Sequence, residues 1–270
     1  MAQRLDDSDR RPVRILHITD THLHAAADGR MRGVATYETF RSTLERAQGD
    51  ERWPPDAIVA TGDIVQDESR GGYERFRASL APLGVPVLSI PGNHDDPALM
   101  QELLDTPPFQ VGGERRLGGW TLILVSTFLQ GEDAGGVGKE RLAALDAALA
   151  RHADSHVMVC MHHHPLPMRS AWLDGVGLRD AAAFLAVIDA HPQVRCVLWG
   201  HVHQASDRVR RGVRYLSTPS TCAQFLPGSE FFALDERPPG FRWLRLEPDG
   251  SVETSVEWVD GAAVPARSAR

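Results

Sequence analysis

The chain has 270 residues, enough for one large domain or two small ones and for a core that needs no disulfide or structural metal. Hydrophobic residues make up 42% and charged residues 24%, a globular balance that excludes a disordered or fibrous chain. The net charge of −7 excludes a chain-wide basic field and disfavours a dedicated nucleic-acid binder.

Short apolar runs alternate with helical patterns. Residues 13–19 read as a buried strand, 33–46 as a helix, 56–61 as a strand and 69–83 as a helix. Strands follow at 85–90 and 120–127, an Ala/Leu-rich helix at 139–152 and a strand at 156–161. A helix at 180–190 and a strand at 194–199 complete this α/β alternation. Beyond residue 207 the pattern changes to strands at 208–217, 231–234, 240–246 and 251–259, with a hairpin signal at Pro248-Asp249-Gly250. No repeat and no long linker is visible, so the expectation is one domain over 12–260 with flexible tails at 1–11 and 261–270.

Of the 29 basic residues 28 are Arg, Lys139 being the single lysine, which reads as codon bias rather than function. The three cysteines, Cys160, Cys196 and Cys222, are widely spaced and form no CxxC pair. Cys160 and Cys196 lie in apolar runs and read as packing residues of a reducing compartment. The first eleven residues are polar, with no apolar run of a secretory signal, and the apolar stretch 120–129 is too short and too polar to span a bilayer. The expectation is a cytoplasmic protein without membrane contact.

The 12 histidines carry more information, because seven of them cluster at strand ends. In open α/β sheets ligands gather at the carboxyl ends of strands, so segments far apart in sequence can meet there. Asp20-Thr21-His22 follows the first strand; alone, such a DxH is more often a cap or a surface turn. Thr61-Gly62-Asp63 follows the second, where Gly62 permits close backbone approach, although Asp after Gly is also routine turn chemistry. Pro91-Gly92-Asn93-His94-Asp95 is more specific: Asn offers a neutral oxygen to a hard cation, and His94 is placed to reach a substrate rather than the same ion. His162, His163 and His164 follow the strand at 156–161 and are costly to bury unpaired. Gly200-His201-Val202-His203 follows the strand at 194–199.

Counting donors gives Asp20, His22, Asp63, Asn93, one histidine of the triplet, His201 and His203. Seven donors exceed the needs of one ion and suit two ions sharing a bridge. Mixed nitrogen and oxygen ligands without thiolate suit Fe, Mn, Zn or Co and disfavour a cysteine-type structural zinc site.

These five blocks, DxH, GD, GNHD, a strand-end His and GHxH, resemble the calcineurin-like metallophosphoesterases. The resemblance implies a four-layer αββα sandwich, with two mixed sheets face to face and helices outside. By motif position it implies that Asp20, His22, Asp63 and His203 hold one ion and that Asp63, Asn93, a triplet histidine and His201 hold the second. A His-x-Pro register selects His163 as that histidine, whereas a register counted back from His201 selects His162; we favour His163. Asp95 and Asp96 are near enough in sequence to serve as acceptors behind the ligands.

The match narrows through Met161 to Pro167, Trp172-Leu173-Asp174, Leu178-Arg179-Asp180, Gly200 to Gln204 and Ser217 to Phe225. Together these are similar to the bacterial class III cyclic AMP phosphodiesterases. The implied reaction is hydrolysis of 3′,5′-cyclic AMP to 5′-AMP by a hydroxide bridging two di- or trivalent ions. Asp63 and His94 are the catalytic candidates, His94 as general acid or electrostatic stabiliser. His22, Asn93, His94 and His203 are the expected substrate contacts, and Trp172-Leu173-Asp174 with Ser217 to Phe225 the expected rim for base and ribose. His17, His152, His156 and His191 carry no assigned role. The alternatives are another small phosphoester, such as a glycerophosphodiester, and a ligand-poor scaffold, which the intact donor set disfavours. A homodimer through an edge strand within 231–259 is a further expectation.

Overall fold

The computed structural model describes residues 11–261. The tails expected at 1–11 and 261–270 lie outside these residues apart from Arg11 and Gly261.

The first half of the chain builds one sheet. β1 (Val13–Ile18) pairs in parallel with β4 (Ala57–Ala60), which pairs with β5 (Val87–Ser89) and through it β6 (Phe109–Val111). The last two strands, β15 (Gly240–Leu246) and β16 (Val252–Trp258), return to the other side of β1 and add antiparallel, so the order is β16-β15-β1-β4-β5-β6. The second sheet has the order β11-β12-β10-β9-β8-β7, formed by β7 (Gly113–Leu117), β8 (Trp120–Leu124), β9 (His156–Met161), β10 (Val194–Trp199), β11 (Ser206–Arg210) and β12 (Val213–Ser217). Its four inner strands are parallel and its two edges antiparallel. Helices α1 (Thr36–Gln48), α2 (Arg70–Leu80) and α3 (Pro97–Leu104) cover the first sheet, and α4 (Gly138–Arg151), α5 (Ala171–Asp174) and α6 (Ala181–Ala190) accompany the second. This is the expected four-layer sandwich of two mixed sheets flanked by helices.

The period of two along each central strand explains the layering, because these strands are apolar on both faces. In β1, Ile15 faces the other sheet, whereas Leu16 and Ile18 face the helices. In β10, Cys196 and Leu198 point between the sheets, whereas Val197 and Trp199 point outward. The inter-sheet layer is therefore dry and aliphatic, closed by Trp120, Leu88, Leu216 and Leu244. Cys160 and Cys196 pack within it as expected, and all three cysteines are free and buried.

Several boundaries differ from the expectation. A small hairpin, β2 (Arg30–Met31) with β3 (Val34–Ala35), replaces the first turn expected of the helix at 33, and the helix begins at Thr36. The stretch 208–217 is two strands, because Arg211 and Gly212 both take left-handed backbone and form the turn between β11 and β12. Of the expected strand at 231–234 only Leu234 pairs, within β14 (Leu234–Asp235), which meets β13 (Gln224–Phe225). Helix α3 and strands β6 and β7 escaped the reading. α3 is eight residues with Pro97 in its first turn, too short for periodicity to emerge, although its Asp96 cap accepts from the Ala98 and Leu99 amides at 2.8 and 3.1 Å.

The sheets come into close contact at the carboxyl ends of β1, β4 and β10. A Cβ added at Gly200 would lie 2.0 Å from Thr19 Oγ1 and 2.7 Å from Asp20 Oδ2, so only glycine permits the end of β10 to touch the end of β1. Replacing Leu198 in the dry layer by Ala should cost about 2–5 kcal/mol in urea denaturation, whereas Gly200→Ala should cost about 1–3 kcal/mol through overpacking. Equal stability of Gly200→Ala and the parent would refute the close-contact role.

Candidate metal centre

The five strand-end segments converge. Asp20 follows β1, Asp63 follows β4, His94 lies in the loop after β5, His162 follows β9 and His201 follows β10. Asp20, His22, Asp63, His201 and His203 all take positive φ, between 45° and 64°, conformations that residues other than glycine adopt sparingly. Each costs free energy, and their concentration at one spot marks a site held in place by its surroundings. The surroundings are hydrogen bonds between segments: the His22 amide donates to the Asp63 carbonyl at 2.9 Å, and the His201 amide reaches both Asp20 oxygens at 3.0 Å. The Ser220 hydroxyl donates to the Asp20 carbonyl at 2.7 Å.

The donors fall into two groups around Asp63. On one side, His203 Nε2 lies 3.5 Å from Asp20 Oδ1 and 3.1 Å from His22 Nε2, and His22 Nε2 lies 3.8 Å from Asp63 Oδ2. On the other, His162 Nε2 lies 3.4 Å from Asp63 Oδ2 and 3.2 Å from Asn93 Oδ1, which is 3.0 Å from His201 Nδ1. Burial is nearly complete: Asp20 and His162 expose nothing, and Asp63 and His203 only 2%.

Tautomers follow from the outer partners. His203 Nδ1 sits 2.6 Å from the Ala223 carbonyl and His162 Nδ1 sits 2.6 Å from the Thr61 carbonyl. A carbonyl only accepts, so both Nδ1 atoms carry protons and both Nε2 atoms face inward. There His203 meets another imidazole nitrogen, and His162 meets a carboxylate and an amide oxygen. Nitrogens and oxygens so placed in a buried cluster repel unless a proton or a cation lies between them. The His22 Nδ1 and His201 Nε2 atoms are also buried without a hydrogen-bond partner. The residues therefore fit a pair of cations.

The field agrees with the geometry. Burial opposes protonation of His162, yet Asp63 and Asp20 raise its pKa to about 9. Burial, with help from His203 and His94, lowers His22 to about 3 despite Asp63. Burial works against ionisation of Asp63, but His162, His94 and His22 hold it well below the usual carboxylate range.

Within the triplet the three rings take different partners. His163 has both nitrogens engaged by protein, Nδ1 with Thr127 Oγ1 at 2.7 Å and Nε2 with the Asp133 carbonyl at 3.1 Å. His162 alone of the three turns a ring nitrogen to Asp63 and Asn93, so the geometry favours His162 over His163. His164 turns toward Asp174 at 3.7 Å. Asp95 and Asp96 do not back the ligands: Asp95 accepts from the Ile64, Val65 and Gly92 amides and the Tyr73 hydroxyl, and Asp96 caps α3. Backbone carbonyls take that role because the ligand rings point back into the strand ends.

The site floors a cavity of about 520 Å³ that His22, Asp63, Asn93, His94, His201 and His203 line from below. His94 stands at the wall, its amide donating to Asp63 Oδ1 at 2.9 Å and its Nδ1 lying 3.2 Å from Gln66 Nε2. Trp172 and Phe225, expected at the rim, line the cavity. Sequence reasoning missed Gln66, Phe232 and the pair Arg30 and Arg32 on the β2–β3 hairpin; the Arg-Met-Arg-Gly turn was the available signal. Of the histidines without an assigned role, His152, His156 and His191 bind Glu114, Pro248 and Asp146 away from the cavity. His17 lies beneath the site, between Thr218 Oγ1 at 2.5 Å and Thr61 Oγ1 at 2.8 Å.

Comparison with known proteins agrees with this arrangement. The chain is 38% identical over 250 residues to the 3′,5′-cyclic adenosine monophosphate phosphodiesterase CpdA of Pseudomonas aeruginosa, covering 92% of this chain and 90% of that one. It is 39% identical to the CpdA of Escherichia coli strain K12, covering 90% and 89%, and 34% identical to a 3′,5′-cyclic-nucleotide phosphodiesterase of Nostoc, covering 93% and 94%. Among solved structures, a dimetal phosphatase from Danio rerio superposes with a TM-score of 0.64 at 16% identity over 93% of this chain and all of that one, a likeness of fold. The family model for calcineurin-like phosphoesterases matches residues 13–205, and the chain belongs to that family.

Proposed function

We propose that this protein is a dinuclear metal-dependent phosphodiesterase that hydrolyses 3′,5′-cyclic AMP to 5′-AMP. The observation that carries the reading is the convergence of two donor groups on one shared carboxylate, Asp63, at the floor of a cavity large enough for a nucleotide. The names and the length-wide similarity of the curated relatives support the substrate. A dinuclear centre is a property of the family, and the candidate ligand clusters suit it.

In this reading Asp20, His22, Asp63 and His203 hold one ion, and Asp63, Asn93, His162 and His201 hold the other. Bound there, the ions supply Lewis acidity toward phosphate oxygens and make hydroxide available at neutral pH. The remaining steps fall to the chain. His22, Asn93, His94 and His203 border the space where the phosphate sits. Gln66 Nε2 is a donor, so the His94 Nδ1 it meets is unprotonated and the His94 proton rests on Nε2. Nε2–H hydrogen-bonds the 3′ oxygen as its bond to phosphorus breaks, and the water that supplies the new oxygen also supplies the proton that the 3′ oxygen takes up. Arg30 and Arg32 at the mouth give a local positive field that an anionic diester needs to approach a chain of net charge −7.

The mixed N and O donor set suits Fe, Mn, Zn or Co. We further propose a single domain over 12–260, since no linker interrupts the two sheets. A homodimer through β16, the edge strand of its sheet within 231–259, belongs to the same proposal. Among the described residues no helix is long and apolar enough to cross a membrane. Three free, buried cysteines support the cytoplasmic placement.

Metal analysis, turnover assays and point variants test this. Elemental analysis should find about two transition-metal ions per chain, and chelation should abolish cyclic AMP turnover with recovery on re-addition. His162→Ala should lose about one ion and nearly all turnover, whereas His163→Ala should keep both ions; the reverse would restore His163 as ligand. Asp63→Ala and Asn93→Ala should abolish turnover. His94→Ala should lower kcat about 10²- to 10⁴-fold with metal content intact, and full activity there would remove His94 from its role. Turnover of a glycerophosphodiester far above that of cyclic AMP would select the alternative substrate.

A further inference from the structure

Above the donor cluster the cavity wall is aromatic. The Phe225 ring stacks on the His203 imidazole, centroids 4.0 Å apart and 11° from parallel. Trp172 meets Phe225 and Phe232 edge-on, each at 5.2 Å, and Phe225 meets Phe232 at 5.4 Å. The wall therefore runs from a phosphate-facing imidazole to the mouth in the space of two phenyl rings. Across the mouth the Arg32 guanidinium lies over the Phe232 ring, 4.6 Å from its centroid. Phe232 is nonetheless 41% exposed, a large apolar ring left in contact with water at the entrance.

The wall is a built unit. Met31 and Val34 of the β2–β3 hairpin pack on Cys222, Ala223 and Leu234, so the hairpin that carries Arg32 is joined to the segment that carries Phe225 and Phe232. Aromatic faces and an arginine plane are the chemistry that stacks nucleobases. An acyclic aliphatic diester has no ring to fill this wall.

We infer that Arg32, Trp172 and Phe232 form a nucleobase clamp, through which the site selects base-bearing cyclic phosphates over base-free ones. The inference rests on the substrate reading above and names what lies beyond the phosphate. The ribose spans the step beside Phe225, and the base lies against Phe232 and Trp172 with the Arg32 guanidinium beside it.

The test compares cyclic AMP with ribose 3′,5′-cyclic phosphate, which has the same scissile bond and no base, on the metal-loaded enzyme. The kcat/KM ratio of the two should favour cyclic AMP roughly ten- to a hundred-fold in the parent. Phe232→Ala, which removes a part-exposed ring, should lower that ratio about ten-fold through KM rather than kcat. Trp172→Ala should act likewise, and Phe232→Tyr should keep the ratio. Calorimetric binding of 5′-AMP against ribose 5-phosphate should follow the same order without turnover. A high parental ratio unchanged in both alanine variants would overturn the clamp while leaving cyclic AMP as the substrate. A parent that turns over base-free diesters and ignores cyclic AMP would overturn the substrate reading and the clamp with it.

Discussion

Asp20 and Asp63 are buried close together with Asp20 wholly out of solvent, and two carboxylates in low dielectric destabilise each other unless positive charge joins them. Much else in the molecule serves that one demand. Inward ring nitrogens of His22, His162 and His203 surround the carboxylates, and Asn93 adds a neutral oxygen where a third carboxylate would raise the repulsion. The carbonyls of Thr61 and Ala223 fix the His162 and His203 rings so that these nitrogens cannot turn away. The strained backbone at Asp20, His22, Asp63, His201 and His203 is tolerable because main-chain hydrogen bonds between the β1 and β4 loops, and the His201 amide on the Asp20 carboxylate, over-determine it.

The αββα arrangement explains why such a cluster can be rigid. The aliphatic layer between the sheets fixes strand positions as organic crystals fix their molecules, so the loops at the strand ends have little freedom to relax. At the polar end of this layer His17, Thr61, Thr19 and Thr218 replace hydrocarbon with a closed hydrogen-bond chain. Arg242, buried beside them, is satisfied by Thr218, Thr254 and the carbonyls of Ser206 and Ser217. Burial and Arg242 lower His17 to about 3, so its neutral ring bridges the two sheets without adding charge beneath the carboxylates.

The upper part of the cavity has a different character from its floor. Charge and strain dominate below, whereas Trp172, Phe225 and Phe232 present apolar faces above, with Arg30 and Arg32 at the entrance. A phosphate and an attached ring system therefore meet separate surfaces within one cavity. The division follows from chain order: the floor is built from strand ends of both sheets, the wall from α5 and the irregular segment between β12 and β15.

Asp20, His22, Asp63, Asn93, His201 and His203 stood out in the sequence as candidate donors because each lies in a polar segment that follows an apolar strand, a local pattern, and the fold brings these segments together. The α/β alternation was legible for the same reason, whereas the four-layer arrangement was implied only by the resemblance of the motifs to a known family. The choice between His162 and His163 was left open, because adjacent residues in an extended chain point to opposite sides and their partners, Asp63 and Asn93 for one and Thr127 and Asp133 for the other, come from distant segments. Phe232 and Arg32 were equally hidden, since they meet across some 200 residues of chain. Local sequence determined which groups could bind a cation or a ring. The packing of distant segments decided which of them face one another, because side-chain direction depends on the neighbours that the tertiary fold supplies.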